Sequence, residues 1–475
     1  MTTLSSLLSD IEAAPPGPGT AALFDLDRTL IAGFSAQDVL LERALKGDVA
    51  LGTLFDAVRS AIAYSAGRIE FVEFVNRAAA DLAGRPDADN IAFGQQVFDK
   101  RVAQRIYPEA RTLIAAHRKR GHTLGVISSA TPYQVEPVAR DLGIEQVMCT
   151  RLEVQDGLCT GRVVEACYGE GKAVAARNLA ARLGLDLSQS FFYSDGNEDL
   201  PLLEIVGKPK PLNPDARLTE QARRRGWPVT RFDSRRSPTP VDLLRMGLAF
   251  GAALPAGAFG LADYVLNGSA REARNLFNSV WGELASAAID LKLEVTGEEH
   301  LWSARPAVFV FNHQSALDTV VMMKLLRRDI TAIAKKEIAS QPVVGQIAAA
   351  LGAIFIDRAD SAKAVAALRP AVDALKSGTS VVIAPEGTRS TTNHLGAFKK
   401  GAFHLAIQAR VPMIAVVIRN TTDWMPKGAL LARPGTVEVK VLPPIDTRNW
   451  TTANVDARVA TVRDLFLREL EGDAA

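Results

Sequence analysis

Cysteine is scarce in this chain, with three in 475 residues, at Cys149, Cys159 and Cys167. Three unevenly placed thiols supply neither a disulfide framework nor a cysteine-ligated metal site, so reduced thiols in a cytoplasmic setting are expected. The first twenty residues lack the basic start and apolar centre of a secretory signal. They carry Asp10, Glu12 and a proline/glycine run over residues 15–19, and are expected to be a tail. An uncharged stretch at residues 246–262, MGLAFGAALPAGAFGLA, is shorter than the ~20 apolar residues that span a bilayer, and Pro255 and four glycines interrupt it. Repeats and low-complexity blocks are also missing. What is present is ordinary globular composition, 48% hydrophobic and 23% charged with a net charge of +2, on a chain long enough for two or three domains.

The net charge hides an uneven distribution. Ten lysines and arginines fall between Lys208 and Arg245, against Asp215, Glu220, Asp233 and Asp242. The uncharged stretch follows directly, and then residues 271–293 place Leu276, Phe277, Val280, Trp281, Leu284 and Ala288 at helical spacing. A basic segment followed by an apolar and an amphipathic helix suits a hairpin dipped into an anionic leaflet. On either side, short apolar runs alternate with helical patterns, which implies two α/β sheets. In the first region the strands are expected at residues 21–24, 124–127 and 191–193, and in the second at 307–311, 353–356, 380–384 and 413–418. Residues 37–98 read as helical throughout, a cap over an active site. The expected division is a tail over 1–20, a first domain over 21–232 with a cap at about 36–100, a linker with two helices over 233–292, and a second domain over 293–475.

Asp25 and Asp27 leave the first strand at the carboxyl edge of the sheet, where open α/β sheets bind ligands. One carboxylate can attack phosphorus while the other moves a proton to the leaving alcohol. Asp195 and Asp199 follow the 191–193 strand and, with Asp25 and Asp27, offer oxygen ligands to magnesium. Ser128 can hydrogen-bond a phosphoryl oxygen, and Lys172 can balance the remaining charge. The blocks DLDRTL, VISSAT, GEGK and SDGNEDLPLL stand in an order that resembles the haloacid dehalogenase superfamily, in particular its phosphoserine-phosphatase-like branch. That resemblance implies a Rossmann-like parallel-sheet phosphatase domain with a helical cap. Phosphoserine phosphatases typically carry a glutamate nine positions after the nucleophile; here Phe34 stands there, which weakens phosphoserine as the substrate.

In the second region His313 and Asp318 follow the 307–311 strand. Five residues apart across a turn, the carboxylate can bond one imidazole nitrogen and leave the other as a base for a substrate hydroxyl attacking a thioester. Arg358 and Arg389 each lie just past a strand, and together suit a phosphate monoester. NHQSALD, GAIFIDR, EGTRS and VPMIAVVIRN resemble, in order, the blocks of the 1-acylglycerol-3-phosphate acyltransferases. The resemblance implies a catalytic dyad of His313 and Asp318, and an acceptor-phosphate site of Arg358, Glu386, Gly387, Thr388 and Arg389 helped by Lys336. Glu386 is an awkward phosphate neighbour, better suited to orienting Arg389 or a backbone turn. Ala415 replaces the proline usual in the fourth block, which bears on chain preference.

The leading expectation is therefore a fused enzyme that acylates lysophosphatidate from acyl-coenzyme A or acyl-carrier protein and carries a magnesium-dependent phosphatase. It would sit on the inner face of the cell membrane and bind no nucleic acid, its oligomeric state left open. The alternatives are an acyltransferase with a silent phosphatase-like half, or chiefly a phosphoserine-type phosphatase.

Overall fold

Ala21, Ala22, Leu23 and Phe24 have no exposed surface, because a strand central to a parallel sheet is covered on both faces. They form β1, Ala21–Phe24. In the computed structural model, which describes residues 3–47, 71–235, 239–356, 368–390 and 394–471, the chain divides into two units, Met1–Arg236 and Ser237–Ala475.

The first unit is built on β1, β2 (Thr123–Ser128), β3 (Gln146–Cys149), β6 (Phe191–Ser194) and β7 (Lys208–Pro211), in the order β3-β2-β1-β6-β7. Every pairing is parallel. Side-chain alternation sends Ala22 and Phe24 to a core with Leu113, Ile114, Val135 and Val138. Ala21 and Leu23 join Ala173, Ala176, Leu202 and Leu218 on the other face. The chain order reverses at β1, so the loops leaving β1 and β6 form a crevice at their carboxyl ends.

Three expectations change here. The first twenty residues are not a free tail: Leu4–Glu12 is helical and buries Leu7 and Ile11 in the core. Leu4, Leu7, Leu8 and Ile11 recur at the spacing of one helix face. The cap is not helical alone. Beside Ser35–Lys46, Phe71–Ala80 and Asp87–Val97 it includes a hairpin of β4 (Arg151–Gln155) and β5 (Leu158–Glu165). Asp156 and Gly157 both take positive φ in its turn, as a two-residue hairpin loop requires. The hairpin is bonded to the segment before Asp87–Val97 by Gly84 N–H to Cys159 O and Cys159 N–H to Arg85 O, at 2.8 and 2.9 Å. Residues 48–70 of the expected cap lie outside the described residues. Finally, most of the basic stretch closes the first unit rather than linking the two. Lys210 pairs with Asp10, Arg224 with Glu220 and Arg225 with Glu204.

The second unit holds a seven-stranded sheet. Its strands are β8 (Leu291–Thr296), β9 (Val308–Phe311), β10 (Ile330–Lys335), β11 (Ile354–Ile356), β12 (Ser380–Ile383), β13 (Met413–Ile418) and β14 (Gly435–Val441), in the order β11-β10-β12-β9-β13-β14-β8. Only the β13–β14 pairing is antiparallel. Val308 and Val310 of β9 face a core with Leu375, Phe403 and Phe466, and Phe309 and Phe311 face one with Phe277, Trp281 and Val321.

The segment expected as a linker belongs to this unit. Helix Ala270–Ala288 buries Phe277, Trp281 and Ala285 against the sheet, because its apolar stripe has a sheet face to cover. Before it, Pro240–Gly251 and Ala253–Asn267 are helical. Pro255 falls in the first turn of the latter, where its missing N–H costs no bond. Taken together, residues 240–267 are long and apolar enough to cross a membrane by length and composition, and only 22% of the most apolar window is buried.

Two candidate active sites

At the carboxyl end of β1 the Asp25 amide still bonds Tyr193 O at 2.9 Å, continuing the sheet and fixing where the next side chain leaves. Asp25 Oδ1 then meets Lys172 Nζ at 2.8 Å, and the same ammonium meets Asp199 Oδ2 at 2.8 Å. Ser194 Oγ donates to that Asp199 oxygen at 2.7 Å. Lys172 reaches this point from the first turn of Glu170–Leu183. A side chain on Gly171 would come within 2.4 Å of Ala166 O, so the tight entry to that helix requires glycine. Asp195 Oδ2 lies 3.2 Å from Arg28 Nη1. Asp27 Oδ1 accepts the Ser35 amide at 2.7 Å and Oδ2 accepts Ser35 Oγ at 3.3 Å, while Gln134 donates to Ser35 Oγ at 3.0 Å. Ser128 is buried at the end of β2, and its Oγ accepts the Ala130 amide.

Electrostatics follow from burying so many acids at one strand edge. Burial pushes the Asp25 carboxyl up to about 7 against the pull of Lys172. Burial pushes Asp27 up to about 6, opposed by its Ser35 bonds. Burial, aided by Asp25 and opposed by Arg28, pushes Asp195 up to about 9. Lys172 loses proton affinity to burial but gains more from Asp199 and Asp25, so it is held as an ammonium.

Of the four acids expected to cluster as magnesium ligands, Asp25 and Asp199 share Lys172, Asp195 faces Arg28, and both Asp27 oxygens are taken by Ser35. Among the described residues no three His, Cys, Asp or Glu side chains are grouped as a metal site. Each carboxylate has instead found the nearest donor. Arg28, Ser35, Ser194 and Gln134 received no role from the sequence. Arg28 and Ser194 had a signal, standing inside the first and fourth motifs. Phe34 is half-exposed just before the cap helix.

In the second unit, His313 and Asp318 flank the turn between β9 and helix Leu317–Leu326. His313 Nδ1 and Asp318 Oδ2 are 2.8 Å apart. That oxygen also accepts the Gln314 and Ser315 amides at 2.8 and 2.9 Å, and Oδ1 accepts Thr421 Oγ1 at 2.6 Å. Asp318 has no exposed surface, whereas the His313 side chain is one-quarter exposed. Since Asp318 Oδ2 accepts two amides, the ring nitrogen facing it acts as a donor: Nδ1 carries the proton and Nε2 is left free, an arrangement able to accept a proton. Asn312 clips the turn to β13 through two bonds with the Ile418 backbone.

Glu386 accepts the His313 amide at 2.8 Å and the Gly396 amide at 2.9 Å. Burial raises its pKa while those two bonds oppose the shift. Both oxygens are thus engaged in holding two loops together rather than facing a substrate anion. The Ser390 amide bonds His313 O at 2.9 Å, which brings the segment carrying Arg389 beside His313. Gly387 has φ +75° and a side chain there would meet Lys399 Nζ at 3.0 Å. Thr388 and Lys336 are exposed and Arg389 is half-buried. Arg358 lies outside the described residues.

Comparison with known proteins agrees with both halves. The family model for haloacid dehalogenase-like hydrolases matches residues 22–204, and the acyltransferase model matches residues 292–419. Phosphoserine phosphatase SerB1 of Mycobacterium tuberculosis (strain ATCC 25618 / H37Rv) is 36% identical over 244 residues, 49% of this chain and 78% of that protein. A 1-acyl-sn-glycerol-3-phosphate acyltransferase of Limnanthes alba is 34% identical over 197 residues, 41% of this chain and 69% of its own length. The crystal structure of the 1-acyl-sn-glycerophosphate acyltransferase PlsC from Thermotoga maritima aligns at 28% identity and a TM-score of 0.42, covering 49% of this chain and 95% of that one. The chain belongs to both families, with a haloacid dehalogenase-like hydrolase as its first unit and an acyltransferase as its second.

Proposed function

We propose that this chain is a bifunctional enzyme of phospholipid synthesis, which acylates lysophosphatidate to phosphatidate in one unit and hydrolyses a phosphomonoester in the other. The observation that carries the reading is the His313–Asp318 pair, a partly exposed imidazole on a fully buried carboxylate. In the proposed reaction His313 Nε2 takes the proton of the acceptor hydroxyl as its oxygen attacks the thioester carbonyl. The tetrahedral adduct then collapses to the ester, and the proton passes to the departing thiolate. Arg389, Arg358 and Lys336 hold the acceptor's phosphate, and Glu386 keeps the loop carrying Arg389 against the dyad. The donor is acyl-coenzyme A or acyl-carrier protein.

In the first unit Asp25 attacks phosphorus to give an aspartyl phosphate, while Asp27 protonates the leaving alcohol and later deprotonates the hydrolytic water. Lys172 fixes Asp25 and balances its charge, and Ser128 binds a phosphoryl oxygen. The donor set fits a hard divalent cation. Asp199 Oδ1 is buried with no hydrogen-bond partner, and burial leaves the neighbouring carboxyls reluctant to ionise. Asp25, Asp195 and Asp199 would hold magnesium, which when bound neutralises phosphoryl charge. The carboxylate of Asp27 suits proton transfer better than ligation, since Ser35 holds both its oxygens. Phe34 argues against an ammonium-bearing substrate such as phosphoserine.

Residues 240–267 carry the membrane reading, for a cytoplasmic protein on the inner face of the cell membrane. Leu254 and Leu266 are 79% and 82% exposed, and Leu244, Leu248, Leu261 and Val265 are also exposed, an apolar surface suited to one leaflet. A second reading, a silent phosphatase half, has the Arg28–Asp195 ion pair in its favour. Assaying the purified chain decides between them. Phosphatidate should form from lysophosphatidate and acyl donor, and magnesium-dependent phosphate release from phosphomonoesters should accompany it; the silent-half reading requires the first without the second.

A further inference from the structure

The segment from Thr421 to Lys427 lies outside all four acyltransferase blocks, yet it is stitched to the acyl-transfer site at three points. Thr421 Oγ1 donates to Asp318 Oδ1 and Ser315 Oγ donates to Met425 O, each at 2.6 Å, and Lys427 Nζ donates to Arg389 O at 2.7 Å. The segment is itself pinned to β14. Trp424 Nε1 donates to Thr436 O at 2.9 Å. A side chain on Gly435 would fall within 2.3 Å of the Trp424 ring, so a glycine is needed for that ring to lie flat. Lys427 is therefore held in place, with its ammonium against the Arg389 backbone and in the field of the Arg389 and Lys335 charges. Burial first, and those two cations next, lower its proton affinity. Among the described residues no carboxylate forms an ion pair with Lys335, Arg389 or Lys427. Holding Lys427 in the field of two further cations is unfavourable unless an anion joins them.

We propose that Lys427 is a substrate-binding residue that, with Arg389, grips a phosphate monoester dianion and so selects phosphate-bearing substrates for the His313 base. This rests on the acyl-transfer reading. The phosphate is the acceptor's, as the assignment of Arg389 above requires; the 3′ phosphate of coenzyme A brings the same chemistry, and the donor arms of the test separate the two sources. An ammonium suits this role as a compact positive charge on a flexible stem, adding to the charge of the Arg389 guanidinium. The bond to Arg389 O uses one of its three protons and leaves two for the ligand.

The test compares the full-length chain with Lys427→Gln and Lys427→Arg, using lysophosphatidate with either acyl-coenzyme A or acyl-pantetheine. Lys427→Gln is expected to raise one KM by about tenfold, the loss of a charge-assisted bond, with kcat within about twofold and with Lys427→Arg largely restoring it. A rise in the lysophosphatidate KM with both donors assigns the acceptor's phosphate. A rise only in the acyl-coenzyme A KM assigns the donor's. A fall in kcat with both KM values unchanged, or no rescue by arginine, overturns the proposal. Calorimetry with sn-glycerol 3-phosphate and with coenzyme A, in an Asp25→Asn background, reads binding without turnover. Lys427→Gln must weaken at least one of them by about tenfold, and equal affinities sink the role of Lys427. A chain that transfers no acyl group overturns the acyl-transfer reading instead, and the calorimetry still decides whether Lys427 binds phosphate.

Discussion

Asp318 Oδ2 meets His313 Nδ1 at 2.8 Å and simultaneously accepts two backbone amides, so the carboxylate fixes both the tautomer and the direction of the ring. Asp318→Asn keeps the shape but replaces an acceptor with an amide that cannot satisfy Nδ1–H and both amides at once. Acyl transfer should fall by ~10²–10⁴-fold with little change in KM. Steady-state kinetics on the folded variant check this, and near-normal kcat would remove Asp318 from the mechanism.

The buried acids of the first unit make its stability depend on pH. A carboxyl whose folded pKa lies above its unfolded value contributes stability below the unfolded value, and that contribution is lost as pH rises through the folded one. For Asp25 and Asp195 the folded values are about 7 and about 9. The buried His117–His122 pair, lowered by burial, has the opposite sign and acts below the ordinary histidine value. A scan from about pH 7 to 8 stays above the histidines. It also stays below the range where unfolded thiols ionise while buried Cys149 and Cys167, pushed up to about 11 and about 12, do not. It reads chiefly Asp195, because most of the Asp25 contribution is lost by about pH 7. In EDTA the first unit's melting temperature should fall across that range, and magnesium should raise it more at the upper end. A flat profile unaffected by magnesium would show that these carboxyls are compensated from within the protein.

Arg389→Ala should raise the KM for lysophosphatidate by a factor equivalent to about 1.5–3 kcal/mol, with the donor KM unchanged. Glu386→Gln should act differently. Its amide can still accept one backbone N–H but loses the charge that holds the second, so stability and kcat fall together. Kinetics and thermal melting on the two variants separate the roles. Identical profiles would mean that Arg389 also serves only the loop.

Leu254 and Leu266 are exposed on the apolar helices, so Leu254→Glu with Leu266→Glu should leave the fold intact. Burying a leucine is worth ~1.5–3 kcal/mol, and the double change should lower partition onto anionic vesicles by more than tenfold by the same reckoning. Co-sedimentation measures it. Equal binding of both proteins, or none by either, would leave this surface without a membrane role.

The architecture was legible where the physics is strongest. β1 and β9 are covered on both faces and so read as unbroken apolar runs. β8 and β14, near the sheet's edge, alternate as LKLEVT and GTVEVKV, and charged residues on one face hid them. The β4–β5 hairpin had a signal in Asp156-Gly157 that the helical pattern around it masked. Asp25, Lys172 and Asp199 could be anticipated from motif order, and the structure brings them onto one ammonium. Ser35 could not, because its bond to Asp27 depends on how the cap helix enters. Lys427 was equally hidden: it lies beyond β13, and only the return of the chain toward β14 brings it to Arg389. The basic run before the apolar helices misled in the other direction, since most of it belongs to the first unit, where Lys210, Arg223, Arg224 and Arg225 are ion-paired.

The central claim is that one chain carries two chemistries in two independent sites. The most direct measurement assays His313→Ala and Asp25→Asn, as full-length folded proteins, for both phosphatidate formation and phosphate release. His313→Ala should lose acyl transfer by ~10²–10⁴-fold and keep full phosphatase turnover, while Asp25→Asn should abolish phosphate release and keep full acyl transfer. If either substitution in a folded chain removed both activities, or neither, the two-site account would be wrong.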